Sequence, residues 1–225
     1  MALEHVETVT FDSYSTLVDV DAVESALAAR VDEPEAVSRH WRTRSLEYTM
    51  VANHTDAYDS FYELNRDALQ HALDTYGADL SEAERDEILA RYHELRVFDD
   101  VRAGLERIRD AGYKCYVLSN GNPEMLASMV EHADIGDLLA DTISAEEIEQ
   151  FKPSTELYRH AAARTGTPID RIAHVSAVWF DVMGAAAAGM YGVHLNRDGV
   201  PWEPFDGEPD FSAPSIHDVV DELGV

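Results

Sequence analysis

The fold is decided by residues 6–17, which read Val-Glu-Thr-Val-Thr-Phe-Asp-Ser-Tyr-Ser-Thr-Leu. The first half of this stretch alternates β-branched and polar residues, and that pattern predicts a strand. The strand runs into Asp12, and the small residues after it predict a turn. Open α/β sheets build their sites beyond the carboxyl ends of their strands, so Asp12 is a candidate site residue. A turn or helix N-cap aspartate is the alternative interpretation of Asp12 taken alone.

The charge balance limits the classes of partner. The chain has 225 residues, with 44 Asp and Glu against 17 Lys and Arg and a formal net charge of −27. Nucleic acids and anionic membranes recruit clusters of Lys and Arg, so neither is expected as a partner. Only Lys114 and Lys152 are lysine. Acid excess with so little lysine predicts a halophilic protein, since molar salt cuts the Debye length to about 3 Å; an ordinary acidic protein is the alternative.

Cysteine usage and hydropathy predict a cytoplasmic protein. Cys115 is the single cysteine, so an internal disulfide is excluded, and its apolar surroundings predict a buried side chain. The first residues do not combine a basic segment with an apolar one, so no secretion signal is expected. The longest apolar run, at 184–193, is too short and too rich in glycine to cross a membrane.

The order of strand and helix patterns predicts an α/β fold. Strand patterns at 113–118, 139–143, 172–176 and 191–195 alternate with helical ones, which indicates a Rossmann-like parallel sheet with helices on both faces. Helical patterns without a convincing strand fill 19–96, at 21–30, 34–53, 57–76 and 81–95. We therefore expect a core of 1–18 and 97–225 with an inserted helical cap of 19–96, which would exclude water from the site. The Pro-rich segment 201–214 is predicted to be a loop.

Four polar residues end or follow four separate strands: Asp12, Ser119, Lys152 and Asp181. Taken singly, Ser119 is typical of a turn and Asp181 of a helix cap. Lys152 stands out because it is retained between Phe151 and Pro153 in a chain that has nearly lost its lysines. Together they indicate one site at the carboxyl edge of the sheet.

This set of residues resembles the haloacid dehalogenase superfamily, in which a strand-end aspartate is the nucleophile. Asp12 matches the nucleophile, and Ser119, Lys152 and Asp181 match the second, third and fourth motifs. The magnesium phosphatases of the superfamily carry a second Asp two residues after the nucleophile. Here that position is Tyr14, which disfavours phosphate ester hydrolysis.

Further motifs resemble the L-2-haloacid dehalogenase branch: residues 12–17, Trp41-Arg42 with 46–49, and Phe151-Lys152-Pro153 followed by Tyr158. The resemblance implies hydrolysis of L-2-haloalkanoic acids to D-2-hydroxy acids through an ester on Asp12. It also implies a small-molecule 2-haloacid as substrate, no metal and no other cofactor, and a homodimer formed through the cap.

The chemistry assigns a role to each charged residue. Lys152 would keep Asp12 ionised through its opposite charge, and a positioned carboxylate is an effective nucleophile. Arg42 would place a cation where halide charge develops, with a surface helix arginine as the alternative. Asp181 would orient or activate the water that attacks the ester. Ser119 would anchor the substrate carboxylate together with neighbouring backbone N–H groups.

The remaining candidates surround the charged groups. Thr16 and Tyr158 would orient them by hydrogen bonds, and Asn120 and Ser176 are further substrate-binding candidates. An apolar wall that strips water from the site is expected from Tyr14, Leu46, Phe61 and Trp179. Core packing is the alternative for each aromatic residue.

One departure leaves the function open at this point. The dehalogenases usually place Asn two residues after the serine that matches Ser176, and here Val178 cannot donate a hydrogen bond. His174 lies in a strand pattern and is expected to be packed rather than to act as a base. A magnesium-dependent phosphatase and a non-catalytic protein of the same fold are therefore the alternatives to a dehalogenase.

Overall fold

The computed structural model describes residue 3 and residues 5–55, 57–205 and 207–225. Met1, Ala2, Glu4 and Asp206 of the expected core, and Asp56 of the expected cap, lie outside the described residues. Within the described part of the chain, no helix combines the length and apolarity that crossing a bilayer requires. Cys115 is buried, and burial raises the pKa of its thiol to about 12.

Six strands form one parallel sheet in the described residues, in the order β5-β4-β1-β6-β7-β8. The strands in chain order are β1 (Thr8–Phe11), β2 (Val18–Asp19), β3 (Arg96–Val97), β4 (Lys114–Ser119), β5 (Asp141–Ser144), β6 (Ile172–Ser176), β7 (Tyr191–Leu195) and β8 (Phe211–Ala213). The prediction of a Rossmann-like parallel sheet is confirmed.

Helices connect these strands. The α-helices are α1 (Glu24–Ala28), α2 (Pro34–Thr55), α3 (Phe61–Thr75), α4 (Glu82–Leu89), α5 (Val101–Asp110), α6 (Pro123–His132), α7 (Thr155–Thr165), α8 (Trp179–Ala188) and α9 (Ile216–Glu222). Strands β4 and β5 lie on one side of β1, and the later strands β6, β7 and β8 lie on its other side. Right-handed crossovers therefore place α5 and α6 on one face of the sheet and α7 and α8 on the other.

Strand β1 lies at the centre of the sheet. It pairs with β4 on one side and β6 on the other, with Phe11 opposite both Val117 and Val175. All four residues of β1 are buried, as expected of a strand covered on both faces. The central position brings Asp12, the residue after β1, between the ends of β4 and β6.

The helices of the inserted region begin where their caps dictate. Helix α3 begins at Phe61 rather than at the predicted residue 57, because the Ser60 hydroxyl accepts a hydrogen bond from the Glu63 N–H at 3.3 Å. Helix α4 begins after Ser81, whose capping box with Glu84 is present as the sequence predicts. Helices α2 and α3 pack against each other and supply residues to the candidate site.

Two strands were not predicted at the ends of this helical region. Strands β2 and β3 form an antiparallel pair in which Val18 lies opposite Val97 and Asp19 opposite Arg96. The expectation that 19–96 holds no strand is therefore wrong at Asp19 and Arg96. Two residues are too few to show the alternation by which a strand is recognised. This strand pair lies where the chain enters the helical region and where it leaves that region.

The segment 201–214, predicted to be a loop, also contains a strand. Strand β8 pairs in parallel with β7, with Val193 opposite Phe211. The Asp210 carboxylate accepts a hydrogen bond from the Gly192 N–H at 2.8 Å and so ties the segment to the sheet edge. Prolines on both sides hide a three-residue strand from sequence patterns.

Candidate active site

A buried lysine joins two aspartates at the carboxyl edge of the sheet. Lys152 Nζ lies 2.8 Å from Asp12 Oδ1 and 2.7 Å from Asp181 Oδ2. The side chain of Lys152 is 3% exposed, that of Asp12 10% and that of Asp181 2%. Salt and water screen ion pairs this deeply buried only weakly. The charge of each carboxylate is therefore balanced mainly by this ammonium group.

The strand ends place these groups. Asp12 follows β1, and its N–H donates to the Val175 carbonyl of β6 at 3.0 Å. Asp181 lies in the first turn of α8, directly after β6. Lys152 is anchored from β4, because its own N–H donates to Asn120 Oδ1 at 2.8 Å. Asn120 is thereby a positioning residue as well as a lining residue of the pocket described below.

The inserted helices also hold the lysine in place. From α2, Asn53 Nδ2 donates to the Phe151 carbonyl, and the Phe151 N–H donates to Asn53 Oδ1, both at 2.8 Å. This reciprocal pair fixes the residue before Lys152. A sequence pattern does not reveal it, because the two residues lie 98 positions apart.

Thr16 orients the Asp12 carboxylate. Its hydroxyl donates to Asp12 Oδ2 at 3.1 Å and accepts from the Ala177 N–H at 2.9 Å. One carboxylate oxygen of Asp12 is thus held by Lys152 and the other by Thr16. The predicted orienting contact of Thr16 is present in the structure.

Asp181 has hydrogen-bond partners on both of its oxygens. The Tyr158 hydroxyl donates to Asp181 Oδ1 at 2.7 Å, and His174 Nε2 lies 3.0 Å from Oδ2. His174 Nδ1 is in turn 2.8 Å from the Thr10 hydroxyl. His174 is fully buried, as expected of a packed residue, but it also belongs to the polar network of the site.

The environment moves the pKa values of the three charged groups. Burial raises the pKa of Asp12, and the Lys152 charge offsets only part of that effect. Burial also opposes ionisation of Asp181, but the charges of His174 and Lys152 outweigh it and hold the Asp181 pKa below its usual value. For Lys152, burial is outweighed by the two carboxylates, and its pKa lies above the usual value.

Asp12 and Lys152 face a small cavity between the sheet edge and the inserted helices, which we call the inner pocket. It has a volume of about 110 Å³. Its lining residues are Asp12, Tyr14, Ser15, Val20, Arg42, Ser45, Leu46, Phe61, Asn65, Tyr92, Ser119, Asn120, Lys152, Val178, Phe180 and Asp181. Most of the lining is apolar, so the charged groups meet little competing water.

A second cavity, the outer cavity, adjoins the inner pocket and has a volume of about 640 Å³. Arg42, Leu46, Val178 and Phe180 are among the residues that line both. The guanidinium of Arg42 stands between the two cavities and pairs with the exposed Asp21, with Nη1 2.5 Å from Oδ1.

A family model described as haloacid dehalogenase-like hydrolase matches residues 6–189, which include the whole charged centre of the site. The chain belongs to the haloacid dehalogenase-like hydrolases. The resemblance stated from the motifs is confirmed, and with it the expectation of a hydrolase.

Relatives of known activity support the same branch of the haloacid dehalogenase-like hydrolases. The chain is 33% identical over 205 residues to (S)-2-haloacid dehalogenase 4A of Burkholderia cepacia, covering 89% of this chain and 87% of that protein. A dehalogenase structure with an intermediate complex is 30% identical, with a TM-score of 0.94 and 99% of each chain covered. The L-2-haloacid dehalogenase of Xanthobacter autotrophicus with chloropropionic acid covalently bound is 26% identical, with a TM-score of 0.90 and 97% and 98% of the chains covered.

Most of the candidate residues surround the inner pocket. The lining includes Asp12, Lys152, Asp181, Arg42, Ser119, Tyr14, Leu46, Phe61 and Asn120. Thr16 and Tyr158 lie behind this lining and contact Asp12 and Asp181 respectively. Ser176 is buried, and its hydroxyl accepts from the Val178 N–H at 3.1 Å, so it shapes the turn before α8.

Trp179 does not reach the inner pocket. It lines the outer cavity and contacts the rings of Phe180 and Phe205. Phe180, the next residue, lines the inner pocket instead, together with the aromatic residues Tyr14, Phe61 and Tyr92. Successive helical residues point about 100° apart, and this pair begins α8, so the sequence alone does not tell which of the two faces the site.

Several pocket residues carried no signal in the sequence. Ser45 and Asn65 lie on α2 and α3, and Tyr92 follows α4; all three are buried. Each falls within an ordinary helical pattern, and the inward direction of its side chain depends on how the helices pack. The alternation of polar and apolar residues was therefore insufficient to find them.

Among the described residues, no group of three or more His, Cys, Asp or Glu side chains is arranged to hold a metal ion. The two carboxylates of the site are both engaged by the Lys152 ammonium group. The expectation of a reaction without a metal stays a prediction, which chelation tests.

Proposed function

We propose that this protein is a metal-independent hydrolytic dehalogenase that converts L-2-haloalkanoic acids into D-2-hydroxy acids through an ester on Asp12. The observation that carries the proposal is the Asp12 carboxylate, buried against Lys152 and directed at a small apolar pocket. Tyr14, where phosphatases of the superfamily have their second aspartate, adds an apolar face to the same pocket. The activities named for the relatives point to the same reaction.

In the first step, an Asp12 oxygen attacks C2 of the substrate from the side opposite the halogen. The new O–C bond forms as the C–halogen bond breaks, and the bonding pair leaves with the halide. Lys152 and Thr16 hold the carboxylate in one orientation, which supplies the proximity such a displacement needs. Burial strips water from the nucleophile, and the Lys152 charge keeps it ionised.

In the second step, water attacks the carbonyl carbon of the Asp12 ester. The C–O bond between that carbonyl carbon and the ester oxygen then breaks, which regenerates Asp12 and releases the D-2-hydroxy acid. Asp181 has a depressed pKa and is therefore a weak base. Its proposed part is to orient Lys152 and the attacking water rather than to take a proton permanently.

The remaining pocket residues bind the two ends of the substrate. Ser119, the last residue of β4, and Asn120, the residue after it, offer the polar edge for the substrate carboxylate. Tyr14, Leu46 and Phe61 enclose the carbon chain, and the 110 Å³ volume of the pocket suits a short acid. Arg42 supplies positive charge on the side of the inserted helices for the departing halide.

The division into a core of 1–18 and 97–225 and a cap of 19–96 belongs to the same proposal. Arg42, Leu46 and Phe61 come from the inserted helices, whereas Asp12, Lys152 and Asp181 come from the sheet edge. A reaction that uses residues from the inserted helices and from the sheet edge requires the cap and the core to be in contact. Opening at β2 and β3, where the chain crosses between them, would admit substrate.

A single turnover in water labelled with heavy oxygen tests the ester. With enzyme in excess over L-2-chloropropionate, the label is expected in the Asp12 carboxylate before it appears in lactate. Label that appears first in lactate would exclude the ester. Added EDTA is expected to leave halide release unchanged; hydrolysis of a phosphate ester that EDTA abolishes would instead favour the phosphatase alternative.

Salt adaptation, a cytoplasmic location and a homodimer are further proposals. The charge of −27 supports the first, and dilution from molar to millimolar salt is expected to lower the midpoint of unfolding. The resemblance supports a dimer through the inserted helices, which light scattering in high salt tests. The cytoplasmic location remains a prediction from the sequence.

A further inference from the structure

The reaction steps proposed above use the inner pocket and give the outer cavity no role. The outer cavity is several times larger, about 640 Å³ against about 110 Å³. The residues that line both cavities are Ser15, Val20, Arg42, Leu46, Val178 and Phe180. A substituent that leaves the inner pocket past one of these side chains therefore enters the outer cavity directly.

The boundary between the two cavities is largely apolar. Val178, the N-cap residue of α8, borders both cavities from the sheet edge, and Leu46 borders both from α2. Neither side chain has a polar atom, so an alkyl chain that lies against them leaves no side-chain donor or acceptor of theirs unpaired. A polar chain would lose its hydration at the same place without compensation from these two residues.

The charged groups of the outer cavity disfavour a second carboxylate on the substrate. Each arginine of its lining has an aspartate partner: Arg42 with Asp21 at 2.5 Å, Arg96 with Asp19 at 2.9 Å and Arg197 with Asp100 at 2.9 Å. The exposed Asp198 and Glu203 add two more carboxylates to the lining. Apolar contact is therefore the main attraction that the cavity offers to a substrate that already carries one negative charge.

An aromatic wall supplies this apolar contact. Trp179 and Phe180 line the cavity from the start of α8, and Trp202 lines it from the segment after β7. Trp202 Nε1 donates to the Gly207 carbonyl at 3.0 Å, and the Trp202 ring lies 4.9 Å from the ring of His194. These contacts hold Trp202 in place, so the wall is formed before a ligand arrives and little ordering cost remains for binding.

The segment that carries Trp202 is also held to the end of β7. Asn196 Nδ2 donates to the Val200 carbonyl, and the Val200 N–H donates to Asn196 Oδ1, both at 2.9 Å. This reciprocal pair closes the turn that leads from β7 to Trp202. The position of the aromatic wall is thus set by the core and does not depend on the inserted helices.

We propose that the outer cavity binds the apolar chain of the substrate, so that this enzyme acts preferentially on L-2-haloalkanoic acids longer than 2-halopropionate. The inner pocket holds the carboxylate, C2 and the halogen, and the chain from C4 onward runs past Val178 towards Trp202. This inference rests on the proposed function and names its substrate class. The bonds that form and break are those of the two steps already described.

A chain-length series tests the proposal, with halide release measured for L-2-bromopropionate, L-2-bromobutanoate and L-2-bromohexanoate at one salt concentration. Each methylene group that moves from water to the outer cavity should raise kcat/KM by up to about fourfold. We therefore expect kcat/KM for the hexanoate to exceed that for the propionate. A lower value for the hexanoate would overturn the inference.

Trp202→Ala separates binding of the chain from simple passage through the cavity. Loss of the aromatic wall should lower the preference for the hexanoate over the propionate by about fourfold or more, the contribution of at least one buried methylene. Phe205→Ala is the matched control, because Phe205 is 64% exposed, contacts Trp179 and lies outside the lining of both cavities. It should leave the preference unchanged. If Trp202→Ala slows both substrates equally, the cavity is only an entrance and the inference is wrong.

Calorimetric titration with the products gives a readout that does not depend on turnover. Wild-type protein is expected to bind D-2-hydroxyhexanoate more tightly than D-lactate, and Trp202→Ala should reduce that difference. Equal affinities, or no binding of the longer acid, would overturn the inference. If the wild type releases no halide from any L-2-haloacid, the proposed function fails, while the titration still decides whether the outer cavity binds an alkyl chain.

Discussion

Replacing Lys152 by Met removes the cation that the two carboxylates of the site share. Met keeps the length and apolar character of the lysine stem, so the main change is the loss of the ammonium group. Asp12 and Asp181 would then lie buried without their common partner. Removing one member of a buried ion pair costs about 3 to 5 kcal/mol, and we expect the free energy of unfolding at pH 7 to fall by up to that amount.

The loss should depend on pH with a definite sign. Without Lys152 the pKa values of the two carboxyls rise in the folded state, so the folded protein binds protons more tightly than the unfolded chain. The stability gap to the wild type is therefore largest where the carboxyls are ionised and narrows as the pH falls. Halide release should drop by at least about a hundredfold, the factor that about 3 kcal/mol represents, because the nucleophile is protonated or misplaced.

Lys114→Met is the matched control, since Lys114 is the other lysine of the chain and is exposed at the start of β4. Its unfolding free energy should stay within about 0.5 kcal/mol of the wild type, with unchanged halide release. Urea unfolding at several pH values and halide assays on both variants give the comparison. Equal behaviour of the two variants would refute the shared-cation reasoning.

Three further outcomes follow from the site geometry. In the wild type, kcat/KM for L-2-chloropropionate should fall as the pH drops through the pKa of Asp12, which lies above the ordinary value of 3.8; an acid limb at or below that value would contradict the assignment. Tyr158→Phe removes the 2.7 Å hydrogen bond to Asp181 and should lower the free energy of unfolding by about 1.5 to 3 kcal/mol in urea titrations at pH 7. Gly184→Ala would place a Cβ 2.7 Å from the Tyr158 hydroxyl and 2.8 Å from Pro153 Cβ, so a loss of about 1 to 3 kcal/mol in thermal or urea unfolding is expected; an unchanged midpoint would show that Tyr158 is free to move.

The strand patterns in the sequence correctly located the site residues that lie at the end of a strand or close after it. Asp12 directly follows β1, Ser119 is the last residue of β4, and Asp181 follows β6 after a short turn. Because parallel strands share one carboxyl edge, their order along the chain was enough to predict that these side chains meet. Lys152 could be included because its retention is unusual in this composition and its Phe-Lys-Pro setting matches a motif.

Local patterns failed where the structure depends on few residues or on side-chain direction. Strands β2, β3 and β8 have two or three residues each, which is too short for an alternation to appear. Phe180 lines the pocket in place of the predicted Trp179, and the two residues differ by a single position along the helix. Such differences are set by how an element packs and not by its own composition.

The sequence by itself determined the parallel sheet, the family and the charged centre, because strand periodicity and motif residues are encoded within a few positions of one another. Only the tertiary structure decided that Lys152 bridges both carboxylates, that Asn53 binds the backbone of Phe151 before it, and that Asn65 lines the pocket. Those contacts join residues far apart in the chain. They exist only once the packing of α2, α3 and the sheet has fixed distances and directions that no local pattern contains.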